Sequence, residues 1–305
     1  MISNLRKVSG KKATFLDDHF YFLLLIPTIV LTLLIVIFPL FYSIGLSFTD
    51  TTLLNFLTGS GFVGFKNYLE TLVDPEFLNS LRIGVSFSII STALEIFFGF
   101  VIAYFVYYFV QTKRALIIPC ILAPLMLTPA VVALMWRFML NYEIGIVNYF
   151  TQLIGLGTYP WLGTKTLAFW SIVMSDVWQQ TPFAFLIILA GLESMPQEPF
   201  EAAKVDGASS WQTLRYIVLP FIRGPIFVAL IFRTIDSFKI FDKVSILTGG
   251  GPGTSTETLN VYMYRIGFQW FNFGRAACIA QIIIFIIMAL AWIFFRVNKL
   301  VDSDE

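Results

Sequence analysis

Charged side chains are scarce in this 305-residue chain, because Asp, Glu, Lys and Arg make up only 13% of it. A soluble protein carries roughly 25%, so this chain lacks the polar groups to cover a water-exposed surface. The formal net charge of +1 leaves no basic surface for nucleic acid. The only histidine is His19, and the two cysteines, Cys120 and Cys278, lie in apolar runs. This composition predicts packing roles for the cysteines and no metal site.

Long apolar runs take the place of the missing charge. Hydrophobic residues make up 57% of the chain, 33 residues are Phe, and the mean hydropathy is +0.80. A helix needs about 20 mostly apolar residues to cross a bilayer, and these runs lack the alternation of barrel strands. The sequence therefore predicts an all-α polytopic membrane protein. About six transmembrane helices are expected, at residues 20–42, 84–110, 115–140, 166–192, 219–247 and 276–295.

The distribution of cations predicts how these helices are oriented. Four Lys and Arg residues lie between positions 6 and 12, whereas Lys66 is the only cation of loop 49–80. Because cytoplasmic segments carry the excess of cations, both termini are expected in the cytoplasm. The predicted division is a cytoplasmic tail at 1–19, a transmembrane domain at 20–296 and a cytoplasmic tail at 297–305. The first span is long enough to be an uncleaved anchor.

Prolines and glycines mark the irregular segments. Pro119, Pro124 and Pro129 fall within the third span and predict kinks, since each lacks the N–H that a helix needs. Such kinks are tolerated where neighbouring helices or a cavity satisfy the freed backbone groups. The glycine-rich run 249–254 predicts a flexible external turn, followed by an amphipathic stretch at 259–273.

A polar loop at residues 201–220 interrupts the apolar chain between the fourth and fifth spans. It lies within a predicted cytoplasmic loop at 193–220 and divides into two helical pieces at Asp206-Gly207. Glu201 suits a first helical turn, and Gly207 permits a backbone turn that a side chain would obstruct. An ordinary connector is the alternative interpretation, although a connector needs only a few polar residues.

The same loop carries a family signature. Its motif residues are Glu201-Ala202-Ala203, Asp206-Gly207-Ala208 and Leu219-Pro220. This motif resembles the signature loop of permease subunits of binding-protein-dependent ABC importers, which implies the type I importer permease fold. Further stretches resemble the sugar-type branch, the relatives of the maltose and glycerol-phosphate permeases; they lie at 47–49, 62–68, 136–137, 145–148, 248–252 and 255–259. Phe65 departs from the usual Leu of that branch.

The resemblance implies a role for each residue of the motif. Glu201 would pair with a cation of a separate cytoplasmic ATPase, and Asp206-Gly207 would form the turn. The small residues Ala202, Ala203 and Ala208 would allow close approach of that ATPase. The chain has no P-loop, since no Lys follows its glycine run. It is therefore expected not to be an enzyme and to hold no cofactor, with ATP and Mg bound by the partner.

The resemblance also implies the rest of an assembly in a bacterial or archaeal plasma membrane. Its expected partners are a second homologous permease forming a heterodimer, two ATPase subunits, an external solute-binding protein and a carbohydrate substrate. Loops 49–80 and 141–162 are candidate contacts for the solute-binding protein. An ion-driven secondary transporter is a rival interpretation, but no repeated halves are visible. A membrane scaffold or receptor is another, and it leaves the charged spans unexplained.

Polar residues in two spans are the candidate substrate pathway. By resemblance, the cavity-lining residues are Asp176, Gln179, Gln180, Phe183, Arg233, Asp236, Ser237 and Ile240. Charges inside a membrane normally face a cavity or a partner. Because Arg binds carboxylates in a bidentate way, Arg233 suggests an acidic sugar. The alternative is that Arg233–Asp236 and Lys239–Asp242 are self-neutralising pairs. The isolated Glu95 of the second span is expected to contact a partner or a polar pocket.

Overall fold

The computed structural model describes residues 25–110 and 113–303, and these fold into helices joined by turns. We number the helices in chain order. They are α1 (Leu25–Ser47), α2 (Lys66–Val73), α3 (Pro75–Phe109), α4 (Arg114–Leu122), α5 (Pro129–Met139), α6 (Ile146–Leu153), α7 (Lys165–Glu193), α8 (Glu198–Val205), α9 (Ser210–Phe238), α10 (Asp242–Leu247), α11 (Leu259–Tyr264) and α12 (Phe273–Ser303). The predicted tail 1–19, with His19, and the first residues of the first span lie outside the described residues.

The number of spans agrees with the sequence prediction. Among the described residues, five helices are long and apolar enough to cross a membrane, and a bent pair raises this to six. The bent pair comprises residues 114–126 and 129–139, which meet at 92°. Pro119, Pro124 and Pro129 lie in this pair, so the predicted kinks are confirmed as a broken span.

Three predicted span boundaries are wrong. The helix of the fifth span begins at Ser210 instead of residue 219, because the second helix of the loop continues directly into it. The second span begins at Pro75 instead of residue 84, because the Asp74 carboxylate accepts the Glu76 N–H at 2.7 Å and caps the helix. The fifth span ends at Phe238 instead of residue 247. There the Lys239 N–H bonds back to the Asp236 carbonyl at 3.0 Å, and α10 follows as a separate helix packed on α5. The charges between residues 236 and 243 interrupt the apolar run that the prediction had extended.

Close packing of α3 against α7 forms the centre of the bundle. A Cβ on Gly99 would lie 2.7 Å from the Ala184 Cβ, so only glycine lets the two backbones approach this closely. Of the cysteines, Cys278 is buried and Cys120 is exposed, and both are free thiols. The glycine run folds into a bonded turn, in which the Thr256 hydroxyl donates to the Gly251 carbonyl at 2.8 Å.

An apolar cluster fills one end of the bundle, where α7 ends and α9 begins. It combines α3, α7 and α9 through Ala103, Val106, Phe185, Ile188, Leu189, Leu192, Met195, Val218 and Ile222. Between spans such side chains associate through van der Waals packing, because lipid tails are as apolar as they are. This terminal cluster is the base on which the loop after α7 rests.

Candidate functional site

The loop after α7 folds as a helical hairpin at residues 198–213, which we call the hairpin. Its first helix, α8, ends with the Gly207 N–H bonded to the Lys204 carbonyl at 3.2 Å and the Ala208 N–H bonded to the Ala203 carbonyl at 2.9 Å. This is a Schellman motif, which requires a left-handed residue. Gly207 supplies it with a φ of +70°. The predicted turn at Gly207 is therefore confirmed.

The second helix of the hairpin begins with a capping box. The Ser209 hydroxyl accepts the Gln212 N–H at 3.3 Å, and the Gln212 side-chain oxygen accepts the Ser209 N–H at 2.7 Å. Because both helix ends at the turn are satisfied internally, the hairpin holds its shape without a partner. The half-buried side chains of Phe200 and Leu214 then pack it onto the terminal cluster.

The hairpin presents a small, mixed surface to the outside of the bundle. Glu201, Ala202 and Asp206 are exposed, as their predicted role requires. Ala203 is buried with 9% exposure, because it lies on the face of α8 that rests on the bundle, so it is not part of the outer surface. Val205 is 88% exposed. The sequence analysis did not single out Val205. Its position two residues after Ala203 places it on a different face of α8 from the buried Ala203, and this spacing could have indicated its exposure.

Five ionisable side chains from four helices meet in the middle of the bundle, and we call them the ion cluster. They are Glu95 of α3, Asp176 of α7, Arg233 and Asp236 of α9, and Lys243 of α10. Four of them are at most 4% exposed, whereas the Asp236 side chain is 57% exposed. Buried charges are stable only when paired, so the cluster holds these helices in one arrangement.

Arg233 is the centre of the ion cluster. Its Nε donates to Glu95 Oε2 at 2.6 Å and its Nη2 donates to Glu95 Oε1 at 3.0 Å, a bidentate pair. Its Nη1 donates to Asp236 Oδ2 at 2.6 Å, and its Nη2 also reaches Asp176 Oδ2 at 3.3 Å. The Lys243 ammonium binds the second oxygen of Asp176. Four of the five guanidinium N–H groups are engaged by carboxylates of the chain, which leaves no pair of N–H groups for the bidentate substrate contact that the sequence suggested.

The ion cluster contains one of the two self-neutralising pairs that the alternative interpretation predicted. The Arg233–Asp236 pair exists as predicted. Within the described residues, Lys239 and Asp242 form no ion pair with each other, because no Lys239 nitrogen lies within 4.0 Å of an Asp242 carboxylate oxygen. Glu95 occupies a polar pocket, as expected, and Lys243 is the member that sequence reasoning passed over.

A central cavity of about 220 Å³ opens beside the ion cluster. Five predicted pathway residues line it, namely Asp176, Gln180, Asp236, Ser237 and Ile240; Pro129, Lys239, Phe241, Asp242 and Lys243 complete its wall. Carboxylates, an amide, a hydroxyl and a ring are the groups that suit hydroxyl-rich ligands. The volume lies below the roughly 300 Å³ at which ligand pockets begin.

Three predicted pathway residues lie outside the wall of the central cavity. Arg233 is held in the ion cluster. Gln179 is 1% exposed, and its Nε2 donates to the Leu127 carbonyl at 2.7 Å, a group freed by the break in the bent span. Phe183 packs edge-on against Phe232, with ring centroids 6.3 Å apart. Gln179 thus has a structural reason to be where the sequence predicted a ligand contact.

Comparison with known proteins assigns the chain to a family. Residues 95–304 match the family described as the inner membrane component of binding-protein-dependent transport systems. The chain belongs to this family. It is a multi-pass membrane permease, a non-catalytic component of ABC transporters, as the signature loop implied. The rival interpretations as a secondary transporter or a scaffold are therefore wrong.

Relatives and solved structures extend the similarity over nearly the whole chain. A trehalose/maltose transport system permease of Thermococcus litoralis is 33% identical, with 91% of this chain and 93% of that protein covered. A sulfoquinovosyl glycerol transport system permease of Agrobacterium fabrum is 31% identical, with 92% and 90% covered. A bacterial alginate ABC transporter matches with a TM-score of 0.80 and 20% identity, over 94% of this chain and 98% of that chain. This last likeness confirms the fold.

Proposed function

We propose that this permease forms half of the translocation pathway of an ATP-driven carbohydrate importer and that its hairpin docks on a separate ATPase. The hairpin carries the proposal. Its two capped helices present Glu201, Ala202, Val205 and Asp206 outward, and the first turn of α8 carries two carboxylates, Glu198 and Glu201. A groove on a partner would approach this surface closely at Ala202, whose side chain is only a methyl group. ATP and Mg would bind to that partner.

A carbohydrate substrate agrees with the relatives and with the chemistry of the central cavity. Two relatives are permeases of trehalose/maltose and sulfoquinovosyl glycerol transport systems. In this chain, the Gln180 amide and the Ser237 hydroxyl lie beside the carboxylates of Asp176 and Asp236, and Phe241 offers a ring. Sugar hydroxyls both donate and accept hydrogen bonds, which suits this mixture.

The small volume of the central cavity supports a second permease subunit. A cavity of about 220 Å³ is too small for an oligosaccharide, and a sister permease facing it would supply the missing wall. We propose a heterodimer of two permeases with two ATPases. A solute-binding protein would deliver the substrate at the end of the bundle opposite the hairpin. The assembly would lie in a bacterial or archaeal plasma membrane.

Recovery of the ATPase with purified permease tests the docking role. We expect Val205→Asp to abolish this recovery, because it replaces the exposed apolar side chain of the docking surface with a charge that docking would bury without a partner. Leu57→Asp is the matched control, since Leu57 is 92% exposed in the loop between α1 and α2, far along the chain from the hairpin. Equal recovery of the ATPase with both variants would contradict the proposal.

Uptake of labelled sugar tests the pathway separately. We expect Gln180→Leu to reduce uptake while the variant still recovers the ATPase, because Gln180 lines the central cavity and does not touch the hairpin. Uptake at the wild-type rate would remove Gln180 from the pathway.

A further inference from the structure

A second cavity lies at the end of the bundle opposite the hairpin, and we call it the outer cavity. Its volume is about 550 Å³, within the range of small-molecule sites. The first turns of α3, the start of α7 and the turn at residues 252–255 enclose it. It shares no residue with the central cavity or the ion cluster.

Two cations without acidic partners line the outer cavity. Arg82 of α3 and Lys165 at the start of α7 both face it. Within the described residues, no carboxylate lies within 4.0 Å of either side chain. No Asp or Glu is among the lining residues. The cavity is therefore positively charged.

The carboxylates that could neutralise these cations are already bound elsewhere. Arg265 binds Glu257 at 2.7 Å and Glu76 at 2.8 Å. Arg275 binds Asp74. Because these three carboxylates are paired with Arg265 and Arg275, none of them neutralises Arg82 or Lys165.

The neutral groups of the outer cavity suit a sugar. The Ser255 Oγ is buried and has no hydrogen-bond partner, and the Ser86 hydroxyl also lines the cavity. Asn79 is fixed by its bond to the Thr254 carbonyl at 3.1 Å. The half-buried ring of Phe169 adds an apolar surface. The Asn79 amide and the Ser86 hydroxyl are the neutral polar groups that a hydroxyl-rich ligand would contact.

We propose that the outer cavity binds an anionic saccharide, with Arg82 and Lys165 binding its acidic group. The proposal rests on the proposed carbohydrate import and names the class of carbohydrate. Arg233 cannot select an acid, because the ion cluster engages its guanidinium. Among the residues that the structure describes, Arg82 and Lys165 have no such partners. A saccharide is favoured over an acidic side chain of the solute-binding protein, because the volume of about 550 Å³ exceeds that of one carboxylate side chain and the lining includes hydroxyl groups.

Binding to the full-length chain in lipid nanodiscs tests the proposal without any ATPase. The probes are digalacturonate and the neutral disaccharide maltose, followed by calorimetry or saturation-transfer NMR. We expect digalacturonate to bind more tightly than maltose, and Arg82→Gln and Lys165→Gln each to weaken it roughly tenfold or more, the effect of losing a hydrogen bond to a charged group. Lys66→Gln is the control, because Lys66 pairs with Glu70 outside the cavity and is equally cationic.

Three results would overturn the proposal. The first is equal binding of digalacturonate and maltose, and the second is an equal loss in the Lys66→Gln control. The third is unchanged digalacturonate binding in Arg82→Gln and Lys165→Gln with weaker association of the solute-binding protein, which would assign the cavity to a protein carboxylate. None of these results depends on ATPase docking, so the proposed function can stand if this proposal fails.

Discussion

Replacing Glu95 with Gln removes one buried carboxylate from the ion cluster while keeping the shape of the side chain. Glu95 is fully buried and accepts two bonds from Arg233, at 2.6 and 3.0 Å. A glutamine keeps one acceptor oxygen, so one of these bonds can remain. Its NH₂ group then points at a guanidinium N–H, which places two donors face to face.

The expected loss follows from the burial of this pair. Breaking a buried ion pair by removing one partner lowers the free energy of unfolding by roughly 3–5 kcal/mol. Because Glu95→Gln keeps one of the two bonds, we expect a loss of about 3 kcal/mol, at the lower end of this range. Asp236→Asn is the matched control, because it removes a carboxylate that contacts the same Arg233 at the same 2.6 Å. The Asp236 side chain is 57% exposed, so solvent screening limits its loss to about 1 kcal/mol or less.

The assay is reversible unfolding in mixed detergent micelles, followed by circular dichroism, with the free energy of unfolding compared across the three proteins. Similar losses for Glu95→Gln and Asp236→Asn would refute the reasoning, because burial would then not set the strength of these contacts. A loss below about 1 kcal/mol for Glu95→Gln would show that Arg233 does not depend on the buried pair.

Three further predictions concern single positions outside the ion cluster. Gly99→Ala should lower the free energy of unfolding by about 1–3 kcal/mol, because the added Cβ meets α7. The control is Gly84→Ala in the same helix, whose added Cβ meets nothing within 4 Å and should leave the free energy of unfolding unchanged. Equal losses in the two variants would contradict the packing argument. Gly207→Ala should lower the free energy of unfolding by about 1–2 kcal/mol, because alanine is strained in the left-handed conformation of this residue. The same unfolding assay measures the loss, and an unchanged free energy of unfolding would contradict the prediction. Burial raises the pKa of Asp74, but bonds from the Glu76 N–H, Tyr262 and Arg275 outweigh it and lower the pKa overall. That stabilisation is present above the unfolded pKa and is lost as the pH falls below about 4, so Asp74→Asn should unfold with a weaker acid dependence.

Local features of the fold were predictable because their causes lie close together in the sequence. Three prolines within eleven residues indicated the broken span, and Pro119 and Pro129 lie in its two halves. The turn at Gly207 followed from the absence of a Cβ, and the structure places this residue in the left-handed region. In both cases a backbone group decides the structure without help from distant residues.

The ion cluster was only half predictable because its partners are distant in sequence. Spacing indicated the pair of Arg233 with Asp236, three residues apart. The bidentate partner Glu95 lies 138 residues away, and no periodicity reports such a contact. Lys243 was missed because the fifth span was extended to residue 247, which hid the break that turns α10 back towards Asp176.

The helices α7 and α9 join the hairpin to the ion cluster. Each of these helices contains a proline between the hairpin and the ion cluster. Pro182 separates Asp176 from the hairpin end of α7, and Pro225 separates the hairpin from Arg233 in α9. A proline removes one helix hydrogen bond, so both helices bend most easily there. A Cβ on Gly191 would lie 2.6 Å from Pro225, so the helices also touch in this region. The two helices therefore join the hairpin to the Asp176–Arg233 contact, which is the longest in the cluster at 3.3 Å.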